Sequence, residues 1–447
     1  MAGKSGVANS HQSALLGWFQ LPANRGFHIA RPAGDPRLDD QAWRIDFQII
    51  ANRFKRASIG AYSRVAPFPT GMPDRSYEVA GQIFELARTD SCLNISMRGR
   101  LDRASRSGYR EQMEMRSLPK IELHLHLDCS LSFQAVSRLA PSVTREEYQR
   151  DYVAPARCAT LADFLSRAPK GFRLMQTEDA LRLVTEDVFQ QLIDDGVIYA
   201  EIRFAPLLHM ERGLSPERVV SVVEHSVERL IRETGMQAGL ILCTLRHFTE
   251  AQSLLTAELV EQFRGSRVVA LDIAGDEAGY PLDAHIAAYR YAREHGLFRT
   301  AHAGEGLGPE SVWETLRLLN PHRIGHGTRS IEDPKLVEHL RRERIHLEIC
   351  PSANVQIIPS IGSMEEHPID HLYRSGVSLN VNSDSRMLTP TTLSKEYKSL
   401  QHVFNWTEQD FLRANLMGLE AAFADDGMRK QLRAQLLDAN GGANLPA

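Results

Sequence analysis

Short runs of alternating apolar and polar residues recur along this chain, and longer amphipathic segments separate them. In "KIELHLHL" the apolar residues occupy every second position, which predicts a β-strand. The segments "SPERVVSVVEHSVERLIRETG" and "GPESVWETLRLLN" are amphipathic, and the second begins at Gly-Pro and ends before Pro321, so both are predicted to be helices. The β-like runs lie at residues 120–127, 197–206, 237–247, 268–275, 299–305, 323–328, 346–354 and 377–384.

This alternation of β-like runs with helix-length segments predicts one architecture. Eight strands with intervening helices fit the α/β class and a (β/α)8 TIM barrel, in which parallel strands form an inner ring and helices an outer ring. The stretch 128–196 is long for a single connection, so we expect it to hold extra helices over the barrel mouth. We assign the barrel to residues 115–447.

The segment 1–114 has a different character. It shows little sustained periodicity, and residues 1–110 hold 16 basic and 9 acidic residues in a chain whose net charge is −4. We predict a poorly ordered extension, or one that is not made in the cell because translation starts at Met113 or Met115. A nucleic-acid-binding arm is an alternative that charge alone supports weakly. A transit peptide is another, although nine acidic residues fit it poorly.

Composition narrows the class of protein. Hydrophobic residues make up 43% of the chain, yet no window approaches the ~18 consecutive apolar residues of a membrane helix. The first residues lack the pattern of a signal peptide, and the five cysteines are scattered without a C-x-x-C pair. These features predict a cytoplasmic protein with no membrane or nucleic-acid partner. No feature of the sequence indicates a particular oligomeric state.

Polar residues gather where the predicted strands end. In a TIM barrel, the catalytic residues lie at the C-terminal ends of the strands. Five predicted strand ends carry acids, histidines or a glycine that could serve a binding site. They are His124, His126 and Asp128 on the first, Asp272, Gly275 and Asp276 on the fourth, His302 and Glu305 on the fifth, His326 on the sixth, and Asp384 on the eighth.

Four of these residues suit a metal ion. His124 and His126 are two apart on one strand, so their side chains share a face. His302 can reach the same point from across the barrel, and Asp384 follows the strand that adjoins the first. Three imidazoles and a carboxylate favour Zn²⁺ with an open position for water, although Fe²⁺, Mn²⁺ or Co²⁺ could occupy the same ligands.

Six stretches resemble the adenosine deaminase family of the metal-dependent amidohydrolase superfamily. They are "PKIELHLHLDCSL", "LDIAGDE", "HAGE", "RIGHGT", "EICPSAN" and "SLNVNSD", and they follow the family's order between about residues 118 and 430. The resemblance implies a metal-dependent hydrolase that acts on a cyclic amidine. It also implies one Zn²⁺ per subunit, with His124, His126, His302 and Asp384 as ligands.

The resemblance also implies roles for residues around the metal. Glu305 would protonate a purine ring nitrogen, which makes the neighbouring carbon electrophilic. His326 would orient and deprotonate the metal-bound water, with Asp384 assisting. The backbone N–H of Gly275 would bind the purine, and Asp128 would approach the ribose hydroxyl groups.

The sequence departs from the family after Asp384. Family members usually have a second acid there, which contacts the purine, whereas this chain has Ser385 and then Arg386. A serine hydroxyl could still form one hydrogen bond to the substrate. Arg386 could reach an anionic substrate group or pair with a local acid such as Glu396.

We therefore predict hydrolytic deamination of adenosine or 2′-deoxyadenosine to inosine or 2′-deoxyinosine plus ammonia, a reaction of purine metabolism. Aminodeoxyfutalosine, an N6-modified AMP and adenine are alternative substrates for the same mechanism. A catalytically inactive binding or signalling relative is the alternative from another class. It is disfavoured because all six metal and proton-transfer residues are present.

Other polar residues near these motifs are expected to have supporting roles. Asp272, Asp276 and Glu277 are expected to brace loops or neighbouring helices. Arg323 is expected to pair with an acid in the barrel interior. In "CPSAN", Ser352 and Asn354 are expected to support the strand end beside a histidine or water of the metal site.

Overall fold

The computed structural model describes residues 115–439, and these contain eight parallel strands that pair in sequence order around a barrel. The predicted TIM barrel is therefore confirmed. The strands are β1 (Lys120–His126), β2 (Val197–Phe204), β3 (Gln237–Leu245), β4 (Val268–Ala274), β5 (Phe298–Ala303), β6 (Arg323–His326), β7 (His346–Ile349) and β8 (Leu379–Val381).

A short seam between β8 and β1 brings the ends of the sheet together. The backbone N–H of Asp384 donates to the carbonyl of His124 at 2.9 Å, and the N–H of His126 donates to the carbonyl of Asp384 at 2.7 Å. Lower in the seam, the N–H of Leu123 donates to Oδ1 of Asn382 at 2.8 Å. Three of the side chains that were predicted to bind metal, those of His124, His126 and Asp384, thus lie at the seam that closes the barrel, whereas His302 lies on β5.

Helices surround the barrel, and the connection between β1 and β2 holds five of them, as the length of residues 128–196 predicted. Several begin with a Ser or Thr side chain that caps a backbone N–H. The helices are α1 (Phe133–Leu139), α2 (Arg145–Asp151), α3 (Leu161–Leu165), α4 (Ala168–Phe172), α5 (Glu178–Asp194), α6 (Pro216–Thr234), α7 (Glu250–Gln262), α8 (Ile286–Glu294), α9 (Pro309–Leu319), α10 (Pro334–Glu343), α11 (Pro351–Ile357), α12 (Ile369–Arg374), α13 (Leu393–Phe404), α14 (Glu408–Ala421) and α15 (Asp426–Ala439).

The alternation along β1 separates the core from the barrel interior. Ile121 and Leu123 are fully buried and pack outward in a cluster with Leu412 and Leu416 of α14. His124 points the other way, toward the interior, and is also fully buried. Both faces of this strand are therefore covered, as is usual for parallel sheets between layers of helices.

Two predicted strand boundaries were wrong. The run 346–354 was predicted as one strand, but β7 ends at Ile349 and α11 begins at Pro351. Proline favours the first turn of a helix, where its missing N–H costs nothing. The run 377–384 contains a strand of only three residues, β8.

The predicted poorly ordered extension, residues 1–114, and the last eight residues assigned to the barrel, 440–447, lie outside the described residues, so both assignments stay predictions. Among residues 115–439, no helix has both the length and the apolar character needed to cross a membrane.

Buried ion pairs tie the barrel interior together. Arg323 donates to Glu201 at 2.6 Å and to Glu348 at 2.7 Å, and its guanidinium lies 3.8 Å from the ring centre of Phe423. These two carboxylates and the guanidinium are at most 1% exposed. The prediction that Arg323 pairs with an interior acid is confirmed.

Replacing Arg323 by methionine should destabilise the protein strongly. The Arg323→Met change leaves Glu201 buried without its cation, and the free energy of unfolding should fall by about 3–5 kcal/mol. Urea unfolding followed by circular dichroism measures this. Arg341→Ala is the control, because Arg341 pairs with Glu338 on an exposed helix surface and its loss should change the free energy by less than about 0.5 kcal/mol. Equal effects of the two changes would contradict the prediction.

Candidate active site

A cavity of about 390 Å³ lies at the C-terminal ends of the strands, under α3 and α4. The predicted site residues other than His124 line it directly, and the predicted cover of helices over the mouth supplies much of its apolar wall. The lining residues at the strand ends include His126, Asp128, Gly275, Asp276, His302, Glu305, His326, Asp384 and Ser385.

Four histidines cluster at the floor of this cavity. The ring centre of His124 lies 4.5 Å from that of His302 and 4.7 Å from that of His326, and the ring centre of His126 lies 5.2 Å from that of His302. A Cβ atom at Gly325 would lie 3.0 Å from the ring of His124, so a side chain there would displace the ring by a few tenths of an ångström. Glycine before His326 thus allows the rings to approach closely.

The Nδ1 atom of His124 is held by a carboxylate. It lies 2.9 Å from Oε2 of Glu348, which is fully buried. Burial opposes ionisation of Glu348, but Arg203 and Arg323 lower its pKa to about 2, so it is ionised and accepts the proton of Nδ1. The lone pair of Nε2 is then free, and this buried atom has no hydrogen-bond partner among the described residues.

The other three predicted ligands face the same point. His302 lies 3.2 Å from Asp272 through Nδ1, and its Nε2 is 3.1 Å from Nε2 of His126. Oδ1 of Asp384 is 3.5 Å from Nε2 of His124 and 3.6 Å from Nε2 of His126. Nitrogen and carboxylate donors that converge in this way, one of them an unpaired buried nitrogen, fit a metal ion.

The backbone at two of these positions is unusual. Asp384 has φ of 62° and His326 has φ of 59°, in the left-handed region that residues other than glycine adopt infrequently. Such conformations cost on the order of 1–3 kcal/mol and tend to occur at functional sites. They direct both side chains into the cavity from the ends of short strands.

Glu305 lies opposite the histidine cluster. Its Oε1 is 3.4 Å from Nε2 of His326, and the side chain is 6% exposed. Burial raises the pKa of Glu305 well above its usual value, and the negative charges of Asp384 and Glu277 raise it further. Glu305 is therefore suited to hold a proton near neutral pH.

Glu277 fixes the turn that carries Glu305. Its two carboxylate oxygens accept the backbone N–H groups of four consecutive residues, 304–307, at 2.8, 3.0, 2.6 and 3.0 Å. The hydroxyl of Ser311 donates to the same carboxylate. The expectation that Glu277 braces a loop is confirmed, and the loop is the one that presents Glu305.

The three predicted substrate contacts lie around the cavity wall. Oδ2 of Asp128 accepts the backbone N–H of Ala205 at 3.0 Å. Gly275 directly follows β4 and has φ of 104°, which glycine adopts far more readily than other residues. The hydroxyl of Ser385 is buried and has no hydrogen-bond partner among the described residues, so it is available to a ligand.

Arg386 does not reach the cavity. It donates to Glu122 at 3.2 Å and to Asp195 at 3.1 Å, and its side chain is 1% exposed. Of the two roles left open for Arg386, pairing with buried acids is the one observed, although with these acids rather than with Glu396. The other role, contact between Arg386 and an anionic substrate group, is not supported, because Arg386 does not line the cavity.

Sequence reasoning missed several residues that support the site. Arg203 donates to both Asp272 and Glu348, and His367 contacts Asn354, the residue behind His326. Asp272, besides accepting from Arg203, lies beside His302, so it does more than brace a loop. The only signal for Arg203 was a cation in a strand that is otherwise apolar except for Glu201, and His367 had no signal.

Comparison with known proteins agrees with this geometry. The family model described as adenosine deaminase matches residues 119–439. The chain belongs to the adenosine deaminase family. It is thus a hydrolytic deaminase, as predicted. The alternative of a catalytically inactive binding or signalling relative is not supported.

Individual relatives extend this comparison. Adenosine deaminase 1 of Streptomyces coelicolor is 35% identical over 333 residues, covering 69% of this chain and 83% of that protein. A solved adenine deaminase from Arthrobacter aurescens is 26% identical with a TM-score of 0.67, covering 72% of this chain and 99% of that one. A Zn-bound amidohydrolase from Burkhoderia ambifaria is 22% identical with a TM-score of 0.68, covering 74% of this chain and 93% of that one, and shares the fold.

Replacing Glu277 by glutamine should impair turnover without loss of metal. In Glu277→Gln an amide NH₂ replaces one acceptor oxygen and faces backbone donors, so the Glu305 turn shifts. We expect kcat to fall about 10- to 100-fold, as small displacements of catalytic groups do. Steady-state kinetics with metal analysis measures both. Glu332→Gln, which only removes an exposed pair with Arg329, should leave kcat within about twofold, and a similar value for Glu277→Gln would refute the role.

Proposed function

We propose that this member of the adenosine deaminase family is a zinc enzyme that deaminates adenosine and 2′-deoxyadenosine. The observation that carries the proposal is the grouping of His124, His126 and Asp384, with Nε2 of His302 3.1 Å from that of His126 and a proton-holding Glu305 beside them. Nitrogen and oxygen donors in this number favour Zn²⁺. The bound Zn of the Burkhoderia ambifaria amidohydrolase supports the same ion.

Bound Zn²⁺ would supply the acidity that makes a water molecule nucleophilic near neutral pH. The chain's own residues do the rest. Glu305, held protonated by burial, donates to the purine ring nitrogen next to the carbon under attack. His326 hydrogen-bonds the attacking water, and the carboxylate of Asp384 takes the proton that this water loses and passes it to the amino group, which departs as ammonia. The added hydroxyl group returns a proton to Glu305 as the carbonyl of the product forms. The Gly275 N–H and the Ser385 hydroxyl orient the purine, and Asp128 binds the sugar.

The charge of the cavity supports an uncharged nucleoside as substrate. Among the described residues that line it, none is a lysine or arginine, whereas four are acids. Away from the proposed metal ion, phosphate or carboxylate groups would meet no lysine or arginine and would be repelled by Asp128 and Asp276. Arg386, the one cation that the sequence offered, is paired with Glu122 and Asp195.

A substrate panel tests this choice. Ammonia release by the zinc-loaded full-length protein is measured with adenosine, 2′-deoxyadenosine, adenine, AMP, N6-methyl-AMP and aminodeoxyfutalosine. We expect kcat/KM to be highest for the two nucleosides and to fall at least about 100-fold for each anionic compound, a loss of roughly 2.7 kcal/mol of binding to the transition state. Preference for an anionic compound would contradict the assignment of a nucleoside substrate but not the mechanism of hydrolytic deamination.

Two substitutions separate metal binding from proton donation. His124→Ala should lose bound zinc, because it removes one ligand and leaves Glu348 without its partner. Glu305→Gln should keep zinc but lower kcat by at least about 10²-fold, since an amide cannot donate the catalytic proton. Elemental analysis and steady-state kinetics on the same samples distinguish them. A Glu305→Gln enzyme with near-normal kcat would rule out the proton-donor role.

A further inference from the structure

The buried histidines of the site differ in what faces their Nδ1 atoms. A carboxylate, Glu348, faces Nδ1 of His124, and another, Asp272, faces Nδ1 of His302. An ionised carboxylate only accepts hydrogen bonds, so each Nδ1 carries the proton and each Nε2 keeps a lone pair. An Nε2 in that state can bind a metal ion.

His326 faces an amide instead. Its Nδ1 lies 3.0 Å from Nδ2 of Asn354. On the other side of that amide, Oδ1 lies 2.7 Å from the hydroxyl of Thr328 and 3.3 Å from Nε2 of His367. An amide nitrogen only donates and an amide oxygen only accepts, so the orientation of Asn354 decides the direction of its bond to His326.

A backbone N–H determines that orientation. The N–H of Ile369, the first residue of α12, donates to Nδ1 of His367 at 3.1 Å. A backbone N–H cannot accept, so this Nδ1 is unprotonated, and the proton of the ring lies on Nε2. Burial, which lowers the pKa of His367 to about 3, is consistent with a neutral ring. Nε2–H of His367 then donates to Oδ1 of Asn354, which turns the amide nitrogen toward His326.

We infer that Asn354 and His367 are positioning residues that keep the proton of His326 on Nε2. Because Nδ1 of His326 accepts from Asn354, the ring presents Nε2–H to the cavity, 3.4 Å from Oε1 of Glu305. An Nε2–H can donate a hydrogen bond to the attacking water. It can neither bind a metal ion nor accept that water's proton, so the inference departs from the base role that the resemblance implied.

This inference rests on the proposed site but not on the choice of substrate, and a spectrum without substrate tests it. The zinc-loaded full-length protein is labelled with ¹⁵N in its histidine rings, and long-range ¹H–¹⁵N correlations report which nitrogen is protonated. The His326 signals are assigned by their loss in His326→Gln. We expect a protonated Nε2 and an unprotonated, unligated Nδ1. A proton on Nδ1 of His326 would overturn the inference whatever the substrate panel shows.

Reversing the polarity of the amide is the second test. In Asn354→Asp an ionised carboxylate needs a donor from His326, so the proton should move to Nδ1. We expect kcat to fall about 10²- to 10⁴-fold, the range known when a catalytic histidine is held in the wrong tautomer. Zinc content should not change, and KM should stay within about threefold, because no substrate contact is altered.

Asn320→Asp is the matched control. This residue is exposed at the end of α9, so the same chemical change there should leave the spectrum and kcat unaltered. A graded variant, Thr328→Val, removes one of the two donors to the Asn354 oxygen but leaves His367 to orient the amide, so its loss of kcat should be smaller than that of Asn354→Asp. If Asn354→Asp keeps both the original tautomer and the original kcat, Asn354 does not set the proton position and the inference is wrong.

Discussion

The Glu348 carboxylate is fully buried at the centre of the barrel and accepts hydrogen bonds from Arg203, Arg323, Thr300 and His124. These donors come from β2, β6, β5 and β1, so one side chain of β7 joins four other strands. A buried carboxylate costs several kcal/mol in lost hydration unless cations and hydrogen bonds replace the water. The groups that meet this requirement keep Glu348 ionised, and the ionised carboxylate keeps the proton of His124 on Nδ1. The stability of the barrel interior and the chemistry of the site therefore depend on the same contacts.

Arg203 extends this arrangement to a second histidine. It donates to Glu348 at 2.6 Å and to Asp272 at 2.9 Å, and these two acids face His124 and His302 respectively. Burial opposes the ionisation of both carboxylates, but Arg203 and Arg323 lower the pKa of Glu348, and His302 and Arg203 lower the pKa of Asp272. His124 and His302 therefore share one electrostatic environment. His326 is backed by an amide instead of a carboxylate, and this difference allows neighbouring imidazoles to take different roles.

Local patterns sufficed to predict the barrel and the site cluster but not the contacts behind them. The alternation over 120–127 shows which side chains share a face, and the barrel geometry brings strand ends together. The partners of these side chains are set by tertiary packing, and Glu348 lies 224 residues from His124 in sequence. The same limit explains Arg386, whose partners Glu122 and Asp195 no local pattern could indicate. The Zn²⁺ and the residue roles stay proposals that rest on geometry.

The seam between β8 and β1 shows why site and fold cannot be separated. Asp384 exchanges backbone hydrogen bonds with His124 and His126, yet β8 itself is only three residues long. The strained backbone at Asp384 is held from behind by Ser383, whose N–H and hydroxyl both donate to Glu122. In the proposed ligand set, one ion would join side chains from both edges of this short seam. Metal binding would then favour the closed barrel by its binding free energy, because the ligand geometry exists only when the seam is formed.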